Sequence, residues 1–143
     1  MKTKIVDETF DEKSGLTTVT LQNKYGRFTG TARCHPDEIE IFSQFQGERI
    51  AATRANISFL KFRIQQEKAK LKAIQNLQND FNHEYDLNPN GFYGPVTKHI
   101  FKTIKRYKEN IKNFKTSIEI LEDSIKLMDE ERQKVLLRSK KNK

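Results

Sequence analysis

The stretch IFKTIKRYKENIKNFKTSIEILEDSIKLM, residues 100–128, decides the architecture. Ile104, Tyr107, Ile111, Phe114, Ile118, Leu121, Ile125 and Met128 alternate steps of three and four without a miss. That is the a/d seam of a heptad, extended upstream by Ile100 and downstream by Val135. The spacing predicts a single helix from just after Pro95 to near Leu137, ~60 Å long at ~1.5 Å per residue.

Working outward, residues 48–80 carry Ile50, Ile57, Leu60, Ile64, Leu71, Ile74 and Leu77 with no intervening Gly or Pro. This is a second long helical pattern, ended upstream by Gln46-Gly47. Two helices of comparable length joined by one loop make an antiparallel hairpin. Phe59 and Phe62 lie off the stripe and are expected to contact the sheet, the short helix or another subunit. Apolar residues on more than one face mark an interface, so a homo-oligomer is expected.

The N-terminal third reads differently. Thr3 to Phe10, Leu16 to Leu21 and Arg27 to Ala32 are rich in β-formers, separated by turn composition at Asp11–Gly15 and Asn23–Gly26. Three strands with short turns form an antiparallel meander, which needs something covering one face to be stable. His35-Pro36-Asp37-Glu38 then opens a short helix, because Pro suits a first helical position and acids complement the dipole. The expected fold is α+β: residues 1–47 as meander and short helix, residues 48–143 as the helical hairpin with a loop at 81–94.

Composition narrows the function. The chain has 143 residues, 35% hydrophobic and 32% charged, with a net charge of +8. Such a lean apolar content fits long helices that need only a narrow stripe each, and the positive balance favours anionic partners. No apolar run approaches the ~20 residues that span a bilayer, and the N-terminus has no signal-peptide core. The one cysteine, Cys34, suits a reducing cytoplasm. The expectation is a cytoplasmic protein without a membrane span.

The loop Phe81–Gly94 reads FNHEYDLNPNGFYG and sits between the two helices. It holds Phe81, Tyr85, Phe92 and Tyr93 beside Asn82, Asn88 and Asn90. Aromatic faces stack on flat rings and amide side chains read donor–acceptor edges, so the segment has the composition of a ligand loop. The alternative is an aromatic cap that closes the end of the hairpin, and composition alone does not separate the two.

Positive charge is concentrated next to that loop. Lys98, Lys102, Lys105, Arg106, Lys108, Lys112 and Lys115 face a single Glu109, whereas Glu119, Glu122, Asp123, Asp129, Glu130 and Glu131 reverse the balance further on. The bland reading is a solvated coiled-coil face; the functional one is phosphate-binding cations, Arg106 among them, beside a stacking platform. Arg27, Arg33 and Arg54 make a second candidate anion site, since Arg27 and Arg33 have the even spacing that shares one face of a strand. His35, His83, His99 and Cys34 match no metal-ligand spacing and no nucleophile–base arrangement, and no phosphate-binding glycine loop occurs. No catalytic residue, metal or cofactor is assigned, and a non-enzyme is expected.

Lys24-Tyr25-Gly26-Arg27-Phe28-Thr29-Gly30, His35-Pro36-Asp37-Glu38, Ala51-Ala52-Thr53-Arg54-Ala55 and the loop from Phe81 to Gly94 together resemble the phage anti-Thoeris sponge proteins of the first type. The resemblance covers most of the chain. It implies a small N-terminal sheet, a short linker helix and a long helical hairpin, assembled as a homo-oligomer (a dimer or hexamer). It further implies sequestration, without cleavage, of glyco-cyclic ADP-ribose, a cyclic nucleotide alarm signal made by bacterial TIR-domain enzymes. The family's ligand-holding aromatic corresponds to Phe81, and its loop asparagine to Asn90 or Asn88. Some members also resemble cyclic trinucleotide binders, through arginines at a separate inter-subunit site for which Arg27 and Arg54 are the carriers here. Two other readings compete: a small basic nucleic-acid-binding protein whose lysine-rich helices track phosphates, and a coiled-coil scaffold without a small ligand.

Overall fold

The computed structural model describes residues 2–33, 44–87 and 94–141. In chain order they form β1 (Lys4–Asp11), β2 (Leu16–Asn23), β3 (Gly26–Arg33), α1 (Gln44–Leu87) and α2 (Gly94–Lys141). The fold is α+β, with a three-stranded antiparallel sheet of order β1-β2-β3 followed by a helical hairpin. The stretch from His35 to Gly47 expected to hold a short helix lies outside the described residues up to residue 43.

Both sheet turns follow from local side chains. Asp11 accepts hydrogen bonds from Lys13 N through Oδ1 (3.0 Å) and from Gly15 N through its carbonyl (2.7 Å). Gly15 then takes the left-handed φ of 70° that a side-chain-bearing residue would resist. In the second turn Asn23 Oδ1 accepts from Tyr25 N at 2.8 Å, and Gly26 at φ 133° starts β3 opposite Asn23. Asx-type bonds of this kind are why Asn and Asp hold such positions.

The chain divides into two compact units, Met1–Leu60 with Ile118–Lys143, and Lys61–Ser117. In the first, one sheet face is covered. Thr17, Val19 and Leu21 of β2 and Ala32 of β3 are buried with Ile50, Ala51 and Ala55 of α1, and Ile125 and Met128 of α2 pack onto them. The helix comes unusually close at Gly30: a Cβ there would lie 2.0 Å from the Ala51 carbonyl oxygen and 2.3 Å from the Ala55 nitrogen. Only a glycine facing alanines allows that approach. Phe59 is buried and its ring meets Phe28 at 5.1 Å and Tyr25 at 5.8 Å between centroids, so this off-stripe phenylalanine does contact the sheet. β1 stays exposed, with Ile5 half-exposed and a register shift at Val6 that twists the edge strand.

In the second unit α1 and α2 run antiparallel. Arg63 lies 5.3 Å from the Phe114 ring while Glu67 meets Asn110, so contacts advance along one helix as they recede along the other. Ile64 of α1 is buried with Ile100, Ile104 and Ile111 of α2, the last three as the heptad reading of α2 requires.

Two helix boundaries differ from the expectation. α1 starts at Gln44 and runs through Gly47, which is buried inside the helix. A helical glycine costs only ~1 kcal/mol against alanine, and packing overrides it here. At the other end α1 continues to Leu87, so Phe81, His83 and Tyr85 are helical. Asn82 to Leu87 contains no Gly or Pro that would end the helix sooner, and the first proline after Phe81 is Pro89. α2 opens at Gly94-Pro95, with proline at a position where its missing N–H costs nothing.

Candidate anion-binding site

A pocket of about 190 Å³ opens at the end of β3 in the first unit. It is lined by Ala32 and Arg33 from β3, Ile50 and Arg54 from α1, and Ile125, Asp129 and Arg132 from α2. Residues from three elements, three of them arginines, therefore border one space. Arginine forks supply donors only, in a planar array that matches carboxylate and phosphate oxygens.

Each cation is positioned by the fold. Arg33 is the last residue of β3, on the exposed parity of the strand. Arg54 lies one residue before Ala55, where helix and strand nearly touch, and its Nη1 donates to the Thr31 carbonyl at 2.8 Å. That bond uses one of five N–H donors and fixes the plane of the rest. Arg132 pairs with Asp129 one turn back on α2, Nη2 to Oδ1 at 2.6 Å. The pocket thus carries three positive groups against one carboxylate.

Of the second anion site read from the sequence, Arg33 and Arg54 line this pocket and Arg27 does not. Arg27 and Arg33 do share the open face of β3, but Arg27 pairs with Gln22 and Arg33 with Leu16 at opposite ends of the ladder. Six residues at ~3.3 Å each put them ~20 Å apart along the strand. Asp129 and Arg132 were missed. The signal available was the seam itself: after Leu121, Ile125 and Met128 the next step of four falls on Arg132, a charged residue at an apolar position.

The loop residues stand differently. Asn88, Asn90, Phe92 and Tyr93 lie outside the described residues, and of Phe81 and Tyr85 only the helical backbone is described. Arg106 is exposed on α2 with its guanidinium 5.5 Å from the neighbouring Tyr107 ring. Lys98, Lys102, Lys105, Lys108, Lys112 and Lys115 are likewise exposed on α2, with Glu109 exposed among them. Among the described residues no cluster of three or more His, Cys, Asp or Glu is placed to hold a metal ion, and no helix is long and apolar enough to cross a membrane.

No family model matches the chain, and neither curated proteins nor solved structures yield a similar one.

Proposed function

We propose that this protein is a phage anti-defence sponge that binds and sequesters a cyclic nucleotide immune signal in the cytoplasm of the infected bacterium, without cleaving it. The signal is glyco-cyclic ADP-ribose, with cyclic trinucleotides as further ligands, and the protein works as a homo-oligomer. The observation that carries an anionic ligand is that Arg33, Arg54 and Arg132 all line one pocket. The aromatic and amide residues Phe81, Tyr85, Asn88, Asn90, Phe92 and Tyr93, followed by Arg106 and its lysine neighbours, supply base-stacking and pyrophosphate-binding groups for the cyclic ADP-ribose. The named signal comes from the sequence resemblance.

Thermal denaturation with a panel of cyclic nucleotides tests this reading. A ligand at ~100 times its dissociation constant adds ~2.7 kcal/mol to stability. Heating the saturated complex should then release the nucleotide intact. A cleaved product that accumulates over many turnovers would replace sponge with enzyme.

A second reading, a nucleic-acid-binding protein, is favoured by the exposed lysines from Lys98 to Lys115. It predicts retention of nucleic acid through purification and affinity that falls steeply with salt. A pocket-bound nucleotide loses affinity with salt far less.

A further inference from the structure

We propose that Asp129 makes the arginine pocket selective for ribose phosphates: Arg33 and Arg54 take the phosphate while the Asp129 carboxylate accepts a hydrogen bond from a neighbouring ribose hydroxyl. This rests on the reading of the pocket as a phosphate site and goes on to name what accompanies the phosphate.

The pocket is chemically two-sided. Its strand and α1 side presents Arg33 and Arg54, which only donate; its α2 side presents Asp129, which when ionised only accepts. A pocket built for a bare phosphate would surround it with donors, because every phosphate oxygen is an acceptor. Here such an ion meets a carboxylate that repels it. A ligand that carries a hydroxyl beside its phosphate satisfies both sides at once. Acidic side chains accept from ribose hydroxyls in this way at dinucleotide sites.

The side chains are arranged for it. Arg132 is the more covered member of its pair, its side chain 19% exposed against 45% for Asp129, and the two meet at 2.6 Å. The guanidinium therefore holds one carboxylate oxygen and orients the group, while Asp129 stays the more exposed of the two.

Size agrees. A water molecule occupies ~30 Å³ of the liquid, and pockets that enclose whole small ligands span ~300–1,000 Å³. At about 190 Å³ the space holds a phosphate and its sugar, with the remainder of a nucleotide outside. The hydroxyl nearest a 3′-phosphate is the 2′-hydroxyl, which also distinguishes ribonucleotides from deoxyribonucleotides.

The test uses the full chain and three probes: adenosine 3′-monophosphate, its 2′-deoxy counterpart and inorganic phosphate, titrated by calorimetry or NMR. The ribonucleotide is expected to bind about three- to tenfold tighter than the deoxynucleotide, the worth of one hydrogen bond to a charged group partly open to water. Asp129→Ala should abolish that ratio and tighten inorganic phosphate. Asp129→Asn keeps an acceptor without the charge, so it should retain part of the ratio while also tightening phosphate. Equal binding of ribo and deoxy forms to the unaltered protein overturns the role of Asp129 and leaves the phosphate site standing. Binding of none of the three, or affinities that Arg54→Gln does not change, removes the phosphate site itself and this proposal with it. Circular dichroism of each variant verifies the fold.

Discussion

The buried carboxylate of Glu67 on α1 accepts a hydrogen bond from the Asn110 amide of α2 at 3.2 Å, in a hairpin seam otherwise filled by residues such as Ile64, Ile104 and Ile111. Glu67 is only 2% exposed, and it also faces Lys70 Nζ at 3.4 Å and Arg63 Nη2 at 3.7 Å. A buried charge is tolerated only when its lone pairs are met, so sliding one helix by a turn would strand it. The pair thus sets the register of the hairpin, as a polar residue at a core position does in coiled coils.

Asn110→Ala should therefore cost about 1–3 kcal/mol, since it leaves a buried acceptor short of a donor. The double change Glu67→Leu with Asn110→Leu removes the buried carboxylate together with its amide donor and should recover part of that stability, less what the largely covered Arg63 loses with its partner. It should also lose a unique register, seen as doubled amide resonances. Urea denaturation gives the energies. An unchanged midpoint in Asn110→Ala would mean that Arg63 and Lys70 alone satisfy Glu67.

Gly30→Ala is the change to which the sheet is most exposed. The added methyl would sit 2.0 Å from the Ala51 carbonyl oxygen and 2.9 Å from the Arg54 carbonyl carbon, all backbone atoms that cannot rotate away. The helix must lift off the strand. Overpacking of this kind costs about 1–3 kcal/mol or more. Moving α1 outward also lengthens the Arg54–Thr31 hydrogen bond, so phosphate binding at the pocket should weaken along with the melting temperature. A melting temperature equal to that of the unaltered protein would show that helix and strand are free to separate there.

Much of this architecture is legible in the residues. The steps of three and four from Ile100 to Met128 announce α2, and Asp11–Gly15 and Asn23–Gly26 announce the two turns. The ends of α1 are not legible. Gly47 carries the usual mark of a stop and is helical, and Asn82 and Tyr85 have loop composition yet are helical. The pocket was half legible. Arg33 and Arg54 stand out by charge among small residues, but which end of β3 meets α1 depends on the close approach at Gly30, a tertiary fact. Glu67 and Arg132 share one missed signal, since each is a charged residue where the seam calls for an apolar one.

Substituting the arginines one at a time separates the pocket from general positive charge. Arg33→Ala and Arg54→Ala should each weaken phosphate or nucleotide binding there by about 1.5–3 kcal/mol, the usual worth of a hydrogen bond to a charged group. Arg27→Ala, at the far end of β3, removes the same unit charge and should leave affinity within twofold. Titration at low and at physiological salt measures all three. Equal losses in the three variants would mean that net charge, not geometry, attracts the ligand.

Phe81→Ala tests the other candidate ligand surface. With α1 continuing to Leu87, positions 81 and 85 extend the three-and-four spacing of Ile74 and Gln78, so Phe81 belongs to the helix register by sequence. If it stacks on an adenine, truncation removes ~1–3 kcal/mol of nucleotide binding, the range seen for base–aromatic stacking. That is roughly a five- to hundredfold loss of affinity. Asn90→Ala should also weaken binding, by leaving a polar group of base or ribose unsatisfied. If Phe81 serves only as core, the pattern inverts: the ligand-free protein melts lower, since burying and then deleting a phenylalanine costs ~3–5 kcal/mol, and affinity per folded molecule is unchanged. The expected result is the first, with loss of affinity and a preserved melting curve. Calorimetric titration of glyco-cyclic ADP-ribose beside melting curves of both variants reads the two quantities separately, and unaltered affinity in both variants would withdraw the loop from the binding site.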